Sequence, residues 1–385
     1  MVDYNMKIVH LCLSCFFIDN YSYQENMLPK YHVKMGHDVT VIASSFSFNK
    51  EGKGCYLDVP SERMDKNGFK VIRLAYKSPI KLNSRLRRYE NFYNTLIAEK
   101  PDIIFCHGIS MVAIGTLVKY LKQNPQVKLY GDNHADYVNS ATTFISKHVQ
   151  HKILWRYYAK MLEPYLIKCY GVTPMRCRFL KEMYHLNPEI IEFLPMGVDD
   201  EAIPSNKTEV RVKVREELGI SNQDFIIITG GKIDKRKNIH ILIEAFKRIN
   251  HSNLHLIICG VLTSEMEYLK NEFTANVHYL GWCNAQRVMD CMVASDLACF
   301  PGTHSTLWEQ AVGVGLPVVL KHWDEMTHMN VNDNCIFVKG EDVVEIQQKI
   351  RLMLTDEYYK QQKQKAKNAS FSFLYSDIAR RAISG

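Results

Sequence analysis

Short, continuous apolar runs recur along the chain, and most alternate with segments whose apolar residues fall at helical spacing. The first run is residues 7–13 (KIVHLCL), and a polar, aromatic loop then leads to helically spaced Leu28, Tyr31 and Met35. Residues 39–43 (VTVIA) form the second run. Continuous apolar runs are typical of strands buried on both faces of a parallel sheet. Strands that alternate with helices therefore predict parallel strands joined by helical crossovers.

The same alternation extends through both halves of the chain. In the first half, further strands are predicted at residues 102–106, 127–130, 169–172 and 190–194, with helices at 86–99, 111–123 and 153–168. In the second half, strands are predicted at residues 225–228, 254–259, 277–280, 297–300, 318–320 and 336–338, with helices that include 286–294 and 308–314. The fold class is therefore α/β, with doubly wound parallel sheets.

Length and the position of one polar segment divide the chain. At 385 residues it is too long for one ordinary core, so about two domains are expected. The strand at 190–194 is followed by Pro195–Asp200 and then by a polar, aperiodic stretch at 204–213. We predict Rossmann-like domains at residues 1–200 and 201–370, and an aromatic-rich helix within 371–385. A cleft between the domains is the expected site, beyond the carboxyl ends of the strands.

Composition narrows the cellular context. The apolar fraction is 46%, as in globular proteins, and no apolar run approaches the roughly 18 residues that span a bilayer. The N-terminal apolar run is short and lacks a small-residue cleavage site, which argues against export. Most of the eleven cysteines lie in apolar runs, so reduced, buried thiols in a cytoplasmic protein are expected.

The net charge is unevenly distributed. The formal charge of +7 lies wholly in residues 1–200, with a local cluster at Lys81, Arg85, Arg87 and Arg88. A basic half indicates an anionic partner: a membrane surface, a phosphorylated substrate or nucleic acid. Nucleic acid has no further support, because no zinc-finger spacing and no RNA-binding aromatic signature is present. A solvated basic face without a partner is the alternative.

The strongest chemical signal is residues 225–247, FIIITGGKIDKRKNIHILIEAFK. A buried strand ends in Gly230 and Gly231, and the cations Lys232, Lys235, Arg236 and Lys237 precede a predicted helix. Glycines let the backbone approach a ligand, free N–H groups point from the helix start, and cations neutralise phosphate charge. The sequence therefore predicts a phosphate site, with a solvated basic loop as the alternative.

A second segment, residues 300–310 (FPGTHSTLWEQ), lies at a strand end and opens a helix. Its turn offers small hydroxyls and backbone N–H groups that suit a phosphate or a sugar. Glu309 is placed where a carboxylate binds vicinal hydroxyls, although acids are also favoured near helix N-termini for their charge alone. The chain contains neither G-x-x-x-x-G-K-[ST] nor G-x-G-x-x-G, so neither a P-loop nor a standard dinucleotide site is indicated.

Taken together, these landmarks resemble the GT-B-fold, retaining glycosyltransferases of family 4 over nearly the whole chain. The matching segments occur in the family's order: residues 36–41, 194–199, 231–238, 280–282, 295–301 and 315–319. The resemblance implies two Rossmann-like domains facing a cleft and a C-terminal helix that crosses back to the first domain. It also implies transfer of a sugar from a nucleotide-diphosphate donor, without a cofactor or an obligatory metal.

The resemblance assigns roles to several residues. Lys232 falls where the family has an arginine, and Lys237 where it has its lysine; both would hold the donor diphosphate beside Gly231. A lysine at position 232 keeps the charge but loses the bidentate fork. His134 resembles the family's first-domain histidine near the donor sugar, where it would orient a hydroxyl or stabilise the reacting centre. A loop histidine with purely structural contacts is the alternative.

The chain departs from the family in two places. The family's two glutamates are not present as such: Gln310 stands at the second position, Glu309 is one residue early, and Gly302 stands at the first. Thr303, His304 and Ser305 are therefore expected to contact the donor sugar. The family's glycine-rich loop is replaced by residues 19–26, whose Tyr21, Tyr23 and Gln24 would line the acceptor side unless they only pack.

The acceptor is expected on the basic first domain. A predicted helix, residues 148–168, carries Lys152, Arg156 and Lys160 among aromatic side chains, which suits a membrane surface or a lipid-diphosphate acceptor. A core helix with a solvated cationic edge is the alternative. We therefore hypothesise a cytoplasmic or peripheral transferase that builds capsule or lipopolysaccharide from a nucleotide sugar and a glycan or lipid-linked acceptor. An inverting transferase, an epimerase of the same fold or a non-catalytic binding protein are the competing hypotheses.

Overall fold

The computed structural model describes residues 5–49 and 53–384, and the chain divides into two compact units. The first unit comprises Met1–Pro195 together with Ser376–Gly385, and the second comprises Met196–Tyr375. The sequence placed the corresponding boundaries at residues 200 and 371. No helix in the described residues combines the length and apolar character needed to cross a membrane.

A parallel sheet forms the centre of the first unit. Its described strands are β1 Lys7–Cys12, β2 Asp38–Ser44, β3 Phe46–Phe48, β4 Gly54–Tyr56, β5 Ser61–Met64, β6 Lys70–Leu74, β7 Ile103–His107, β8 Lys128–Asn133, β9 Leu166–Gly171 and β10 Ile191–Phe193. Within the described residues, eight of them form one sheet in the order β10-β9-β8-β7-β1-β2-β6-β5. The edge strand β5 is antiparallel to β6, and β3 and β4 form a separate hairpin.

Helices connect these strands and pack their apolar faces on the sheet. They are α1 Gln24–Lys34, α2 Ile80–Leu86, α3 Phe92–Glu99, α4 Ile114–Gln123, α5 Arg156–Leu162 and α6 Pro174–Met183, with a π-helical segment at Ser146–Trp155 and 3-10 turns at Glu163–Tyr165 and Pro188–Ile190. In α4, Ile114, Leu117, Val118 and Leu121 are buried, at the spacing of one helical face. The fold therefore follows from the apolar periodicity.

The second unit contains a wholly parallel sheet. Its strands, β11 Phe225–Gly230, β12 Leu254–Cys259, β13 Val277–Gly281, β14 Leu297–Phe300, β15 Val318–Lys321 and β16 Cys335–Val338, lie in the order β13-β12-β11-β14-β15-β16. The helices are α7 Lys207–Glu217, α8 Ile239–Ile249, α9 Ala285–Ala294, α10 Leu307–Val314, α11 Val343–Met353 and α12 Asp356–Ala369, with 3-10 segments at Asp200–Ala202, Lys235–Lys237, Ser264–Glu272 and Ser370–Phe373. The predicted α/β class with two parallel sheets is confirmed.

The C-terminal helix α13, Tyr375–Ala382, begins at the boundary between the units. From Ser376 onward it belongs to the first unit, where the Tyr170 hydroxyl donates to the Arg381 carbonyl at 3.1 Å. Ile378, Ala379 and Ala382 are fully buried. These contacts fix the end of the chain within the first unit.

Two predicted helices were wrong in extent. The helix predicted at residues 86–99 is interrupted, because Arg87 and Asn91 adopt left-handed backbone conformations with φ of 56° and 54°. The helix predicted at 148–168 ends earlier, since Leu166 already begins β9. The strands within residues 46–74 were missed. Of these, β6 (residues 70–74, KVIRL) does not alternate, because Val71 and Ile72 are adjacent and the charged Arg73 is buried, so a period-two pattern does not mark it.

All eleven cysteines are free thiols, as the sequence predicted. Cys106, Cys259 and Cys299 are buried in strands. Burial raises the pKa of the Cys299 thiol above its ordinary value. These cysteines therefore behave as small apolar core residues.

Candidate active site

The basic loop of the second unit begins where β11 ends. Gly231 has a φ of 109°, a conformation that favours glycine. The Asp234 carboxylate then accepts the Arg236 backbone N–H at 3.0 Å and caps the turn Lys235–Lys237. Asn238 adopts a left-handed conformation before α8 begins. The glycine turn and the cap therefore set the direction of the cations.

Among those cations, Lys237 differs from its neighbours. Its ammonium donates to the carbonyl oxygens of Thr303 at 2.7 Å and His304 at 3.1 Å. Burial lowers the pKa of Lys237 to about 8, although Asp234 partly opposes the shift. Lys232 is exposed, and Arg236 is 70% exposed and paired with Asp234. Lys237 is thus the cation that joins the two segments that the sequence singled out.

The backbone between these segments is closely packed at Gly302. A Cβ added to Gly302 would lie 2.3 Å from the Lys237 carbonyl carbon and 2.4 Å from the Arg236 oxygen. The Thr303 N–H also donates to that oxygen at 3.0 Å. Position 302, where the resembling family has its first glutamate, therefore has no room for a side chain in this packing.

Glu309 lies on the first turn of α10 and is fully buried. Its Oε1 accepts from His304 Nε2 at 2.8 Å and from His328 Nε2 at 3.0 Å. Burial alone would raise the pKa of this carboxyl, but the two imidazoles hold it well below its usual range. Glu309 itself is therefore inaccessible to solvent, whereas 9% of the His304 side chain is exposed.

Among the described residues, His304, Glu309 and His328 form a group whose side chains could also ligate a metal ion. Their ligand atoms lie within 4.8 Å of one another, and two histidines with one carboxylate is a set that zinc uses. Both contacts with Glu309 Oε1 are, however, of hydrogen-bond length, and one Nε2–H from each imidazole satisfies them. The expectation that no metal is obligatory stays a prediction.

The remaining predicted donor residues line one small cavity or border it. Lys237, Gly302, Thr303 and Ser305 line this cavity together with Trp308. The Ser305 hydroxyl is buried without a hydrogen-bond partner among the described residues. Gln310 follows on α10 and is partly buried. The structure thus brings Lys237, Thr303 and Ser305 to one cavity, whereas Lys232 and Gln310 are not among its lining residues.

In the first unit, His134 lies directly after β8 at the carboxyl edge of the sheet. Its Nε2 is 3.4 Å from Asp132 Oδ2 and 4.0 Å from Glu25 Oε1. Burial would lower the pKa of His134, but the Asp132 and Glu25 carboxylates raise it above its ordinary value. His134 is therefore biased toward the imidazolium form, and 29% of its side chain is exposed.

The loop that carries His134 is held by side-chain hydrogen bonds. Asn139 Nδ2 donates to the His134 carbonyl at 2.8 Å. Asp136 Oδ1 accepts the Asn139 backbone N–H at 2.7 Å, and Asp136 Oδ2 accepts from Arg176 Nε at 3.1 Å. Because Asp136 is itself buried, this pair fixes the loop and hence the position of His134.

A cavity of about 350 Å3 in the first unit includes His134, Arg87 and Trp155 among its lining residues. Arg87 donates to Ser14 Oγ at 2.9 Å, and its guanidinium lies over the Trp155 ring at 5.6 Å. A second cavity of about 400 Å3 shares Ser14 and Arg87 and extends to Arg85. Part of the basic cluster seen in the sequence therefore lines cavities beside His134.

The predicted acceptor-side residues lie just before and at the start of α1. Tyr21 and Tyr23 are 41% and 44% exposed, and their rings meet edge to face at 5.2 Å. Gln24 is buried, and neither its amide oxygen nor its amide nitrogen has a hydrogen-bond partner among the described residues. Since Glu25 approaches His134, the start of α1 borders the His134 site.

The segment from residue 144 to residue 157 presents apolar side chains to solvent. Its buried side chains include His151 and Trp155, and Trp155 packs in the core. Its outer row consists of large apolar residues that are 51–75% exposed: Phe144, Ile145, Val149, Ile153 and Tyr157. Lys152 lies beside this row. Monomeric soluble proteins rarely expose such a contiguous apolar row.

Sequence reasoning missed several residues that the structure adds to these groups. His328 lies in an irregular segment after β15, where no periodicity marks it. Asp132 lies two residues before His134 in β8, whose last five residues are all buried, so no alternation marks its side chain. Arg87 was noticed only as a member of a charge cluster.

Comparison with known proteins gives consistent results for both units. The family described as "Glycosyltransferase Family 4" matches residues 28–202, and the family described as "Glycosyl transferases group 1" matches residues 210–370. A curated relative, alpha-monoglucosyldiacylglycerol synthase of Acholeplasma laidlawii, is 23% identical over 329 residues, which cover 80% of this chain and 79% of that protein.

Two solved structures share the fold over nearly the full length. A glycosyltransferase from Rickettsia africae has a TM-score of 0.70 at 16% identity, covering 98% of this chain and 97% of its own. HepE of Anabaena, in complex with UDP-glucose, has a TM-score of 0.68 at 15% identity and covers 98% of both chains. At these identities the structural likeness shows the fold alone.

Proposed function

The chain is a GT-B glycosyltransferase of family 4, and we propose that it moves a sugar from a nucleotide-diphosphate donor to a membrane-associated, lipid-linked or glycan acceptor with retention at the anomeric carbon. The donor assignment rests on the Lys237 ammonium, which donates hydrogen bonds to the backbone carbonyl oxygens of Thr303 and His304. A nucleotide-sugar donor is also supported by the structural neighbour that contains UDP-glucose.

In this proposal the second unit binds the diphosphate. Lys237 and Lys232 neutralise the charge that develops on the leaving phosphate oxygen, as fixed cations do at such sites. The Ser305 hydroxyl, which has no described partner, bonds the donor, and Glu309 acts on it through His304. Backbone N–H groups near Gly231 add to the anion site.

Transfer breaks the bond between the anomeric carbon and the phosphate oxygen and forms a bond to an acceptor hydroxyl oxygen. The hydroxyl proton passes to the departing phosphate, so no cofactor is needed and charge balances. His134 lies at the carboxyl edge of its sheet with its partly exposed ring, and it is assigned to a sugar hydroxyl.

For the acceptor, the exposed apolar row and its lysine support a membrane-associated substrate of surface-glycan or glycolipid synthesis. Apolar side chains at every fourth residue lie on one face of a helical segment and insert between lipid headgroups. Cations beside them favour binding to anionic lipid. The relative named as a synthase of a glucosylated diacylglycerol supports a lipid acceptor. Tyr21, Tyr23 and Gln24 are assigned to the acceptor side of the His134 site.

The donor assignment is tested by thermal shift with a panel of nucleoside diphosphates and nucleotide sugars, without added metal. Binding to the native state raises the free energy of unfolding by about 2.7 kcal/mol at a hundredfold excess over Kd. One base should raise Tm in the wild type and not in Lys237→Ala. Retention is then read from the anomeric configuration of the product by NMR, and an inverted product would reject the mechanism.

The membrane assignment is tested by flotation with vesicles of neutral and of anionic lipid. The double variant Ile153→Glu and Val149→Glu should abolish binding to anionic vesicles. Ile97→Glu is the matched control, because Ile97 is a 47% exposed residue of α3 in the same unit but outside the row. Equal binding by the wild type and the double variant would assign the row to another partner.

A further inference from the structure

Three imidazoles form one hydrogen-bonded chain through the interior of the first unit. His32 Nε2 lies 2.8 Å from the Ala379 carbonyl oxygen, and His32 Nδ1 lies 2.9 Å from His10 Nε2. His10 Nδ1 lies 3.0 Å from His107 Nε2, and His107 Nδ1 lies 3.0 Å from Asp132 Oδ2. All four side chains are fully buried.

The sheet determines this arrangement. His10 lies on β1, His107 ends the adjacent β7, and Asp132 is the partner of His107 across the β7–β8 pair. His32 lies on α1, and α13 supplies the Ala379 carbonyl. The chain of contacts therefore runs across three neighbouring strands, with an acceptor group at each end.

The direction of each hydrogen bond follows from the Ala379 end. A carbonyl oxygen only accepts, so His32 Nε2 carries a proton. If the imidazoles are neutral, His32 Nδ1 is bare and accepts the proton of His10 Nε2. His10 Nδ1 is then bare and accepts the proton of His107 Nε2. His107 Nδ1 would consequently present a bare lone pair to a carboxylate oxygen at 3.0 Å.

Counting protons gives the same result. The chain contains four contacts of hydrogen-bond length, and each needs one proton, but three neutral imidazoles carry only three. Two facing lone pairs in a fully buried site would leave both atoms unsatisfied, at a cost of several kcal/mol. A fourth proton is therefore required between the Ala379 carbonyl and Asp132.

We propose that the chain permanently holds this fourth proton, as an imidazolium at His107 paired with an anionic Asp132, and that the pair positions His134. Asp132 Oδ1 accepts the Gly108 N–H at 2.8 Å, so both carboxylate oxygens are fixed. His134 Nε2 faces the same Oδ2 that His107 holds. His107 and Asp132 are thus positioning residues, and the role of His134 itself rests on the proposed function.

Electrostatics favour His107 as the place of the charge. Burial would raise the pKa of the Asp132 carboxyl, but His134 and His107 hold it well below its usual range, so Asp132 is the anion. Burial lowers the pKa of His32 to about 4 and lowers the pKa of His10 as well, which keeps both neutral. Other titratable or charged groups around the chain are His37, Glu25, Arg176, Cys12 and Cys106.

The second unit offers an internal control. His278 Nε2 lies 3.1 Å from His255 Nδ1, and His255 Nε2 lies 3.2 Å from Asp224 Oδ2. Here two contacts need two protons, which two neutral imidazoles supply. A hydrogen-bonded histidine pair next to a carboxylate, with His255 buried and His278 half-buried, is therefore not enough to demand an extra proton.

The test is a two-bond 1H–15N spectrum of the histidine-labelled full chain between pH 6 and 9, which reports the protonation of each ring nitrogen. His107, assigned by the loss of its signals in His107→Gln, should remain doubly protonated throughout this range. His10, His32, His255 and His278 should be neutral. A neutral His107 at pH 7.5 in the wild type would overturn the proposal, whatever any variant does.

Asp132→Asn sharpens the test. The Oδ1 of the new amide still accepts the Gly108 N–H, and its Nδ2 donates to His107 Nδ1. Three imidazole protons and one amide proton then satisfy all four contacts of the chain. The imidazolium signals should disappear, transfer should fall about tenfold or more, its pH profile should change, and the Kd for the donor nucleotide should stay within about twofold. Persistence of the imidazolium would overturn the proposal. Absence of transfer by the wild type would count against the proposed function, and the spectrum would still decide the proton chain.

Discussion

Both units contain hydrogen-bonded histidines beside a carboxylate, yet the two networks differ in charge. In the second unit the pair His255–His278 ends on Asp224 at one side and needs no extra proton. In the first unit the chain from His32 to His107 ends on an acceptor at both sides, Ala379 and Asp132. The difference shows that the groups at the ends of a histidine chain, rather than the number of histidines, determine its charge.

The same contrast extends to the candidate site. The second unit contains the basic loop, in which the Lys237 ammonium bonds two backbone carbonyls, and the proposed function assigns this loop to the donor's negative charge. The first unit offers His134, whose environment is a buried network of protons and carboxylates. Substitutions in the first unit and in the second unit should therefore affect activity in different ways.

The largest effect is expected from Lys237→Ala. Loss of the ammonium removes stabilisation of the leaving diphosphate, so kcat should fall about 10²- to 10³-fold. Lys235→Ala, an exposed cation of the same turn, should change kcat by less than about threefold. Initial rates and melting temperatures check both variants. Equal losses in the two variants would mean that only the net charge of the loop matters.

His134→Ala tests the other half. Transfer should fall about 100-fold, while the Kd for the donor nucleotide should stay within about twofold, because the diphosphate contacts lie in the second unit. Calorimetric titration with the nucleotide and transfer assays separate the two quantities. His185→Asn, at an exposed left-handed position, is the control. Parallel loss of binding and transfer would assign His134 a structural role and remove the contrast.

Several elements that distinguish the two units could be predicted from the sequence. The apolar runs placed β12 and β14 at their observed bounds, because fully buried parallel strands leave a continuous apolar signal. Lys237 and the 303–305 turn were predicted to bind the donor because each follows a buried strand in a segment that suits an anion, and this role stays a prediction. Local patterns of this kind need no knowledge of the partner segment.

The buried polar networks could not be predicted in the same way. His10, His32 and His107 lie up to 97 residues apart in their pairwise contacts, and each falls within an apolar run or a helix where a histidine carries no periodic signal. Glu309 was expected to face a ligand, and its partner His328 lies 19 residues away in an irregular segment. Such contacts arise from tertiary packing, which a single sequence does not encode locally.

Lowering the pH should destabilise the first unit more than the second. Burial holds the pKa of His32 and His151 at about 4, and that of His10 well below its usual value, all in the first unit. Above pH 6.5 both folded and unfolded states are neutral at these groups. As pH falls below 6.5, only the unfolded state binds the protons, so stability drops by about 1.4 kcal/mol per pH unit for each histidine until its folded pKa is reached.

Hydrogen–deuterium exchange at pH 7, 6 and 5, corrected for intrinsic rates, checks this expectation. The raised pKa of His134 adds no slope in this window, because its contribution is complete below pH 6.5 and is lost only as pH rises. In the second unit, His240 and His278 also have lowered pKa values, so that unit should lose some stability as well. Peptides of β1, β7 and β8 should lose protection before those of β11 and β12. Earlier opening of the second unit would contradict the comparison.

The smallest effect is expected from Lys232→Arg, which sharpens the contrast within the anion site. Lys232 is exposed and stands where the family has an arginine, so the substitution keeps the charge and adds a planar fork that bonds two phosphate oxygens. The Kd for the donor nucleotide should fall about two- to fivefold, with the melting temperature unchanged. Lys235→Arg adds the same fork one turn away and should leave the Kd unchanged.

If both variants tightened binding equally, the gain would come from general attraction to the nucleotide, and position 232 would have no specific phosphate contact. If neither did, the Lys237 ammonium would be the main side-chain charge that the diphosphate contacts, and the anion site would be built chiefly from backbone N–H groups.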